Sequence, residues 1–340
     1  MPYQKVKPQR RLEVLHDTKV ARELEILERE LKLRLQHRPS TLSFEETYRS
    51  AYRVAILFRE KKKLYELVVT LIDEYMNARF PTLPMRDRLL QAPIEEMGAA
   101  RDVESDVTEL LEALENLWKD LSIQLSVVRD LCMALESCYY DDNNLPSVYD
   151  AGCTTFRRLF QQHLFPIGVN STTVQNVIMV FIRNEFHRDR IYDLVDHERL
   201  RSSIQFLKTI SENVAKNKVS KNTAEEDTPF AAVEARLLHD CQRFYQEEAE
   251  AWLHHGRLDS YCHQAVRRLQ DEWERCKALL GEPSAGKMVK LVGDEVIRRR
   301  LDDLKQLEAR DDVLTWLQDE ESRLLSYSTI RDASKDDIRY

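Results

Sequence analysis

The chain has 340 residues, 43% apolar and 32% charged, with a net charge of -8. Its length and apolar content allow two or three domains with a substantial core. The acidic balance argues against nucleic acid or an anionic membrane as the main partner, because either calls for a basic surface. Only 7 glycines occur, where an average protein would carry roughly 7%. That scarcity disfavours hairpin-rich β folds and glycine-cradled nucleotide folds, and leaves helices joined by short polar turns.

No apolar run reaches the length of a membrane span, and the opening MPYQKVKPQRR lacks the hydrophobic stretch of a signal peptide, so the expected location is cytoplasmic and/or nuclear. Cys132, Cys138, Cys153, Cys241, Cys262 and Cys276 include no C-x-x-C pair and fall mostly in helical patterns, as expected of free thiols in a reducing compartment. Asn170-Ser171-Thr172 matches a glycosylation acceptor that would stay unmodified there.

In chain order, residues 1–16 read as a basic, flexible extension. From Asp17 to Gln36 the residues Val20, Leu24, Leu27, Leu31 and Leu35 keep a helical period, which Arg38-Pro39-Ser40-Thr41 ends. Ser43 and Glu46 have the spacing of a capping box and predict a helix over 43–57. Phe44, Tyr48, Ala51, Tyr52 and Ala55 recur three or four apart, which puts them on one stripe. A further helix is expected over 63–78. Pro81, Pro84, Pro93 and Gly98 then break the pattern between 80 and 100.

Apolar positions from Val107 through Leu121 and Cys132 to Tyr139 hold a three-four spacing without proline or glycine. They predict a single helix over 103–140, a rod of roughly 55 Å at 1.5 Å per residue. Asp141-Asp142-Asn143-Asn144 is the expected turn after it, and Ser147 the cap of a shorter helix through Phe160. Helices are expected over 172–189 and 196–214, then an exposed loop over 216–227, then helices over 230–254, 260–280 and 285–307. Another element starts at Arg310, and the tail from Ser328 is too polar to bury. This order suggests an all-α chain of two similar helical units and the beginning of a third.

Two short motifs invite chemistry. Gly281 to Met288 matches G-x-x-x-x-G-K, but Met288 stands where a phosphate loop needs Ser or Thr, and the flank WERCKALL reads as helix; a helix-to-helix turn capped by Gly281 accounts for it better. His254, His255, Cys262 and His263 match no standard zinc spacing. Nothing resembles a nucleophile elbow or a framed His base, so no catalytic residue, metal or cofactor is assigned.

SFEETYRSAY, Ser43 to Tyr52, resembles the SFEELYRNAY signature of the cullin-3 branch of the cullin family. The likeness continues in order through LENLWKDL, VVRDLCMALESCYYDDNNLPSVYDAGCTTFR, VEARLLHDCQRFYQEEAEAWL and AVRRLQDEWERCKALL. The resemblance implies an elongated stalk of cullin repeats, each a five-helix bundle: an adaptor-binding repeat over 17–165, a second over 166–308, and the start of a third with a polar tail over 309–340. It implies a non-catalytic scaffold of a cullin-RING ubiquitin ligase that binds BTB-domain substrate adaptors. A RING-box subunit and a ubiquitin-like modifier would join the full-length parent.

Carried over residue by residue, the adaptor contacts would be Ser43, Phe44, Glu45, Tyr48, Arg49, Ala51 and Tyr52, with Glu136 and Tyr139 from the end of the long helix. Thr47 stands where the family has Leu, and Ala134-Leu135-Glu136-Ser137 where it has Tyr-Met-Asp-Arg, so the adaptor's matching surface should differ. The competing reading is a helical rod of tethering or solenoid type unrelated to ubiquitination, which would share the helix content but not the SFEETYR helix.

Overall fold

In this computed structural model the described residues are 8–84, 101–135, 139–143, 145–162, 173–212, 228–254 and 257–306, with 315, 318, 319, 322 and 323; for 8–15, 101–104, 141 and 306 only the backbone is described. Among them all regular structure is helical, as the low glycine content and the three-four periodicity require. Expectations that fall on 80–100 beyond residue 84, on 216–227, and on most of 307–340 lie outside the described residues.

The chain divides into two compact units, Met1–Ile178 with Thr209–Ala224, and Met179–Lys208 with Glu225–Tyr340. In the first unit, α1 spans Pro8–Leu35 and is therefore already helical through residues read above as part of a flexible extension. α2 (Phe44–Tyr52) runs into a π-helical turn, Arg53–Leu57, in which Phe58 N–H donates to Arg53 O at 2.8 Å. Arg59, at φ 59, reverses the chain into α3 (Lys61–Arg79). α4 (Arg101–Leu131) is followed by a 3-10 turn, Met133–Leu135, then by short α5 (Tyr139–Asn143) and α6 (Val148–Gln161).

The predicted rod to Tyr139 is thus too long: α4 stops at Leu131, about 46 Å at 1.5 Å per residue. The stop has no proline or glycine behind it. Cys132 N–H is shared between Val128 O and Arg129 O, and Leu135 N–H turns back to Cys132 O at 2.8 Å, which drops the Leu135 side chain into the core at 0% exposure. Asp142 and Asn143, expected in a turn, belong to helix α5.

The core of this unit lies between α1, α3, α4 and α6. Leu27, Leu31, Val68, Ile72, Leu114, Leu121, Leu125 and Phe156 are buried, and the Phe156 ring sits edge-on to both Trp118 and Phe80, at 4.8 and 5.1 Å. Gly152 lets α6 approach α4, because a Cβ there would stand 2.5 Å from Leu125 Cδ2. The Ser147 cap forms as the sequence predicts, with Asp150 N–H donating to its Oγ at 3.1 Å.

Helix α7 (Val174–Arg190) belongs to both units, α8 (His197–Glu212) likewise, and the second unit adds α9 (Pro229–His254), α10 (Leu258–Leu279) and α11 (Glu282–Val296). The helix expected over 285–307 is interrupted at Ile297 and continues as a 3-10 turn, Arg298–Arg300, and α12 (Leu301–Gln306). Gly281 adopts φ +94 and donates to Cys276 O at 3.0 Å, so it closes α10 as expected and opens α11.

Candidate functional site

The capping box that starts α2 is fully formed: Ser43 N–H donates to the Glu46 carboxylate at 2.9 Å, and Glu46 N–H donates to Ser43 Oγ at 3.2 Å. With its first turn fixed, α2 lies against α1 and α4 by its small residues. Thr47 and Ala51 are fully buried, Val54 follows them inward, and Ser50 is 2% exposed. The opposite face presents Phe44 at 47% and Tyr52 at 42% exposure, with half-buried Tyr48 between them and its ring 6.3 Å from that of Tyr52.

The single stripe read from the periodicity therefore divides. Ala51 and Ala55 are sealed against the bundle and offer a partner no surface, which corrects the placement of Ala51 among the contacts. Ser43, Glu45 and Arg49 are exposed, the last two joined in an i,i+4 ion pair at 2.5 Å. Thr47 also turns inward, its hydroxyl donating to Ser43 O at 2.9 Å, so its difference from the family's Leu is an internal one.

Glu136 lies outside the described residues. Tyr139 is half-buried, its ring 6.2 Å from that of Tyr65 on α3 and 6.0 Å from Lys61 Nζ. What packs on the π-helical turn is the 3-10 turn Met133–Leu135.

The structure adds two features that sequence reasoning missed. Tyr48, Arg49, Tyr52, Arg53 and Leu57 line a shallow groove of about 380 Å³, and the apolar surface extends to Leu57 at 63% and Met133 at 53% exposure. Each sits in a continuous apolar run, Val54–Phe58 and Leu131–Leu135, where periodicity gives no signal for which residue faces out.

The second missed feature is Glu30 on α1, with 0% exposure. Its Oε2 accepts from Ser40 Oγ at 2.7 Å, Thr41 N at 3.0 Å and Leu42 N at 3.1 Å, and its Oε1 accepts from Thr41 Oγ1. Burial would raise this carboxyl, but the Thr41 and Ser40 hydroxyls and the Leu42 and Thr41 amides outweigh it and hold it at about 2. Arg34 donates to Leu42 O at 3.2 Å, and Arg53 pairs with Glu23 at 3.0 Å, so α1 grips both ends of the α2 segment. A glutamate within a charged helix reads as solvent-facing; the available hint was its position three residues after Leu27, on the apolar side.

The other candidate chemistry resolves into structure. Gly281-to-Met288 lies at the start of α11, and Lys287 is paired with Glu234 at 2.7 Å. His255 lies outside the described residues, and among those described no three His, Cys, Asp or Glu side chains gather as a metal site. The described cysteines are free and buried, and burial pushes Cys132 and Cys153 up to about 12, too high for a reactive thiolate.

Among the described residues this is a helical protein in which a short helix is anchored by one face and presents aromatics on the other. The comparisons place it more closely. A family profile described as Cullin alpha solenoid domain matches residues 24–333, and the chain belongs to the cullin family. Similar proteins include Cullin-3B of Arabidopsis thaliana, 24% identical over 83% of this chain and 33% of that protein. Cullin-3 of Schizosaccharomyces pombe is 26% identical over 82% and 35%, and Cullin-3 of Dictyostelium discoideum 23% over 84% and 32%. The chain thus spans about a third of the length of these relatives.

Proposed function

We propose that this chain is the adaptor-binding region of a cullin-3-type scaffold in a ubiquitin ligase, and that it binds BTB-domain adaptors through the outer face of α2 and the 3-10 turn after α4. The observation that carries the proposal is the outward ridge Phe44–Tyr48–Tyr52 on a helix whose inner face is buried and whose two ends are tied to α1. Exposed Phe and Tyr on a rigid helix suit docking, since they bury large areas with few rotamers to freeze.

In this reading the chain performs no catalysis. A RING-box subunit and a ubiquitin-like modifier are proposed partners of the whole scaffold, which is longer than the stretch the relatives share with this chain. The division into repeats at 17–165 and 166–308, and action in the cytoplasm or nucleus, belong to the same proposal; buried, unpaired thiols suit a reducing compartment.

The test is calorimetric titration of the chain with a BTB-domain protein. Phe44→Ala and Tyr48→Ala should each weaken binding by roughly tenfold or more, the usual scale of a truncated aromatic hot spot, with far-UV helicity unchanged. Parental affinity in both variants would place the dock elsewhere.

A further inference from the structure

We infer that Glu30 is a positioning residue for adaptor docking: from inside the bundle it sets where α2 begins and so holds Phe44 in its presented orientation. The inference rests on the proposed dock and deepens it.

Every donor that Glu30 takes from 40–42 lies within the short link to Ser43. Ser40 Oγ, Thr41 N, Thr41 Oγ1 and Leu42 N all converge on one carboxylate that is fully buried. Leu42 is followed at once by the Ser43–Glu46 capping box, and Phe44 is the first residue of the helix. The two devices therefore act in series. Glu30 fixes the path of 40–42, the capping box fixes the first turn, and Phe44 inherits its direction from both.

Within the link Ser40 Oγ also lies 2.7 Å from Leu42 O, and the other hold from outside it is weaker than that of Glu30. Arg34 contributes one bond to Leu42 O at 3.2 Å and a longer one to Thr47 Oγ1 at 3.4 Å, both from the same helix. A buried carboxylate that gathers several donors is held firmly, because each donor released removes part of the compensation its buried charge requires. An exposed aromatic on a link ordered in advance binds with less entropic cost than one that must be ordered on docking. Glu30 never meets the adaptor. It acts through the loop.

The experiment compares Glu30→Gln, Glu30→Ala, Phe44→Ala and the core variant Leu27→Ala in the whole chain, each titrated with the same BTB-domain protein. Amide hydrogen exchange and the thermal midpoint are followed in parallel. Leu27 is buried on the same helix, so its truncation lowers the midpoint with no direct effect on the loop. The expected result is faster exchange confined to 40–47 in both Glu30 variants, with affinity reduced about tenfold for Gln and further for Ala. Leu27→Ala should match or exceed their loss of midpoint yet keep parental affinity. If Phe44→Ala loses binding while both Glu30 variants keep it, the positioning role is overturned and the dock stands. If Phe44→Ala also binds like the parent, the dock itself is wrong. Equal loss of affinity in Leu27→Ala and the Glu30 variants would reduce Glu30 to a general stabiliser and overturn the inference.

Discussion

Arg190 and Glu272 meet at 2.8 Å with side chains 1% and 0% exposed, a charged pair sealed inside the second unit. The carboxylate is shared further: Tyr245 OH donates to it at 2.8 Å and Arg275 Nη1 at 2.6 Å, while Arg275 also pairs with Asp189 at 2.6 Å. Arg268 donates to Arg190 O at 2.8 Å, which ties the end of α7 to α10. A buried pair replaced whole by apolar residues is often neutral, but removing one partner strands the other. Here Glu272 is the hub, so its loss would strand Arg190 and the Tyr245 hydroxyl and leave Arg275 with Asp189 alone. Glu272→Ala should lower the stability of the chain by about 3–5 kcal/mol, read as the shift of the urea midpoint by circular dichroism. A midpoint within error of the parent would show that the network relaxes at no cost.

The same carboxylate sets a pH limit. Desolvation raises Glu272, yet Arg190 and Arg275, with the Tyr245 hydroxyl, bring it down to about 2 from an ordinary 4.5. Because the folded value is the lower, its stabilisation is complete above 4.5 and is lost as pH falls toward 2. Glu30 is held at about 2 for a different reason, hydroxyl and amide donors, and adds a loss in the same window. Thermal midpoints recorded from pH 6 to pH 2 should fall steeply below 4.5 in the parent. Glu272→Gln should start lower and fall less steeply; identical acid limbs would remove Glu272 from the acid transition.

Gly152 marks a close approach of α6 to α4, with a Cβ there only 2.5 Å from Leu125 Cδ2. Gly152→Ala should therefore destabilise by about 1–3 kcal/mol, the usual cost of overpacking, although alanine is the better helix former. Leu125→Val in the same chain should relieve part of that cost, giving a double-mutant cycle with a coupling on the order of 1 kcal/mol. Additive effects would mean the contact is not where the strain lies.

How far the sequence foretold this arrangement depends on how local each cause is. The capping box at Ser43 and the cap at Ser147 were legible because donor and acceptor lie three residues apart. The end of α4 was not, since Cys132 and Leu135 break the helix to fill a core that only the fold assembles. Periodicity placed Phe44, Ala51 and Tyr52 on one side of α2, but it could not show that α1 and α4 close over the small residue and leave the aromatics out. Glu30 was the least legible, because its partners arrive from a loop ten residues on and only its place three residues after Leu27 sets it apart in a Glu-rich helix.

The apolar surface around the ridge reaches farther than the residues that the family resemblance carries over. Leu57, at the end of the π-helical turn, is 63% exposed and lines the groove beside Tyr48 and Tyr52; Met133, from the turn packed on it, is 53% exposed. Burying a leucine side chain is worth about 1.5–3 kcal/mol when it is fully covered, so partial cover of both residues should matter to an adaptor. The paired change Leu57→Ser and Met133→Ser should weaken BTB-domain binding by about tenfold. It should leave the thermal midpoint nearly unmoved, as surface substitutions do within about 0.5 kcal/mol. The second unit supplies the control, because its loop exposes Ile191, Tyr192 and Leu194 to a similar degree or more. Ile191→Ser with Leu194→Ser should leave adaptor affinity at the parental value. If that control pair weakens binding and the Leu57 and Met133 pair does not, the adaptor seats on the second unit.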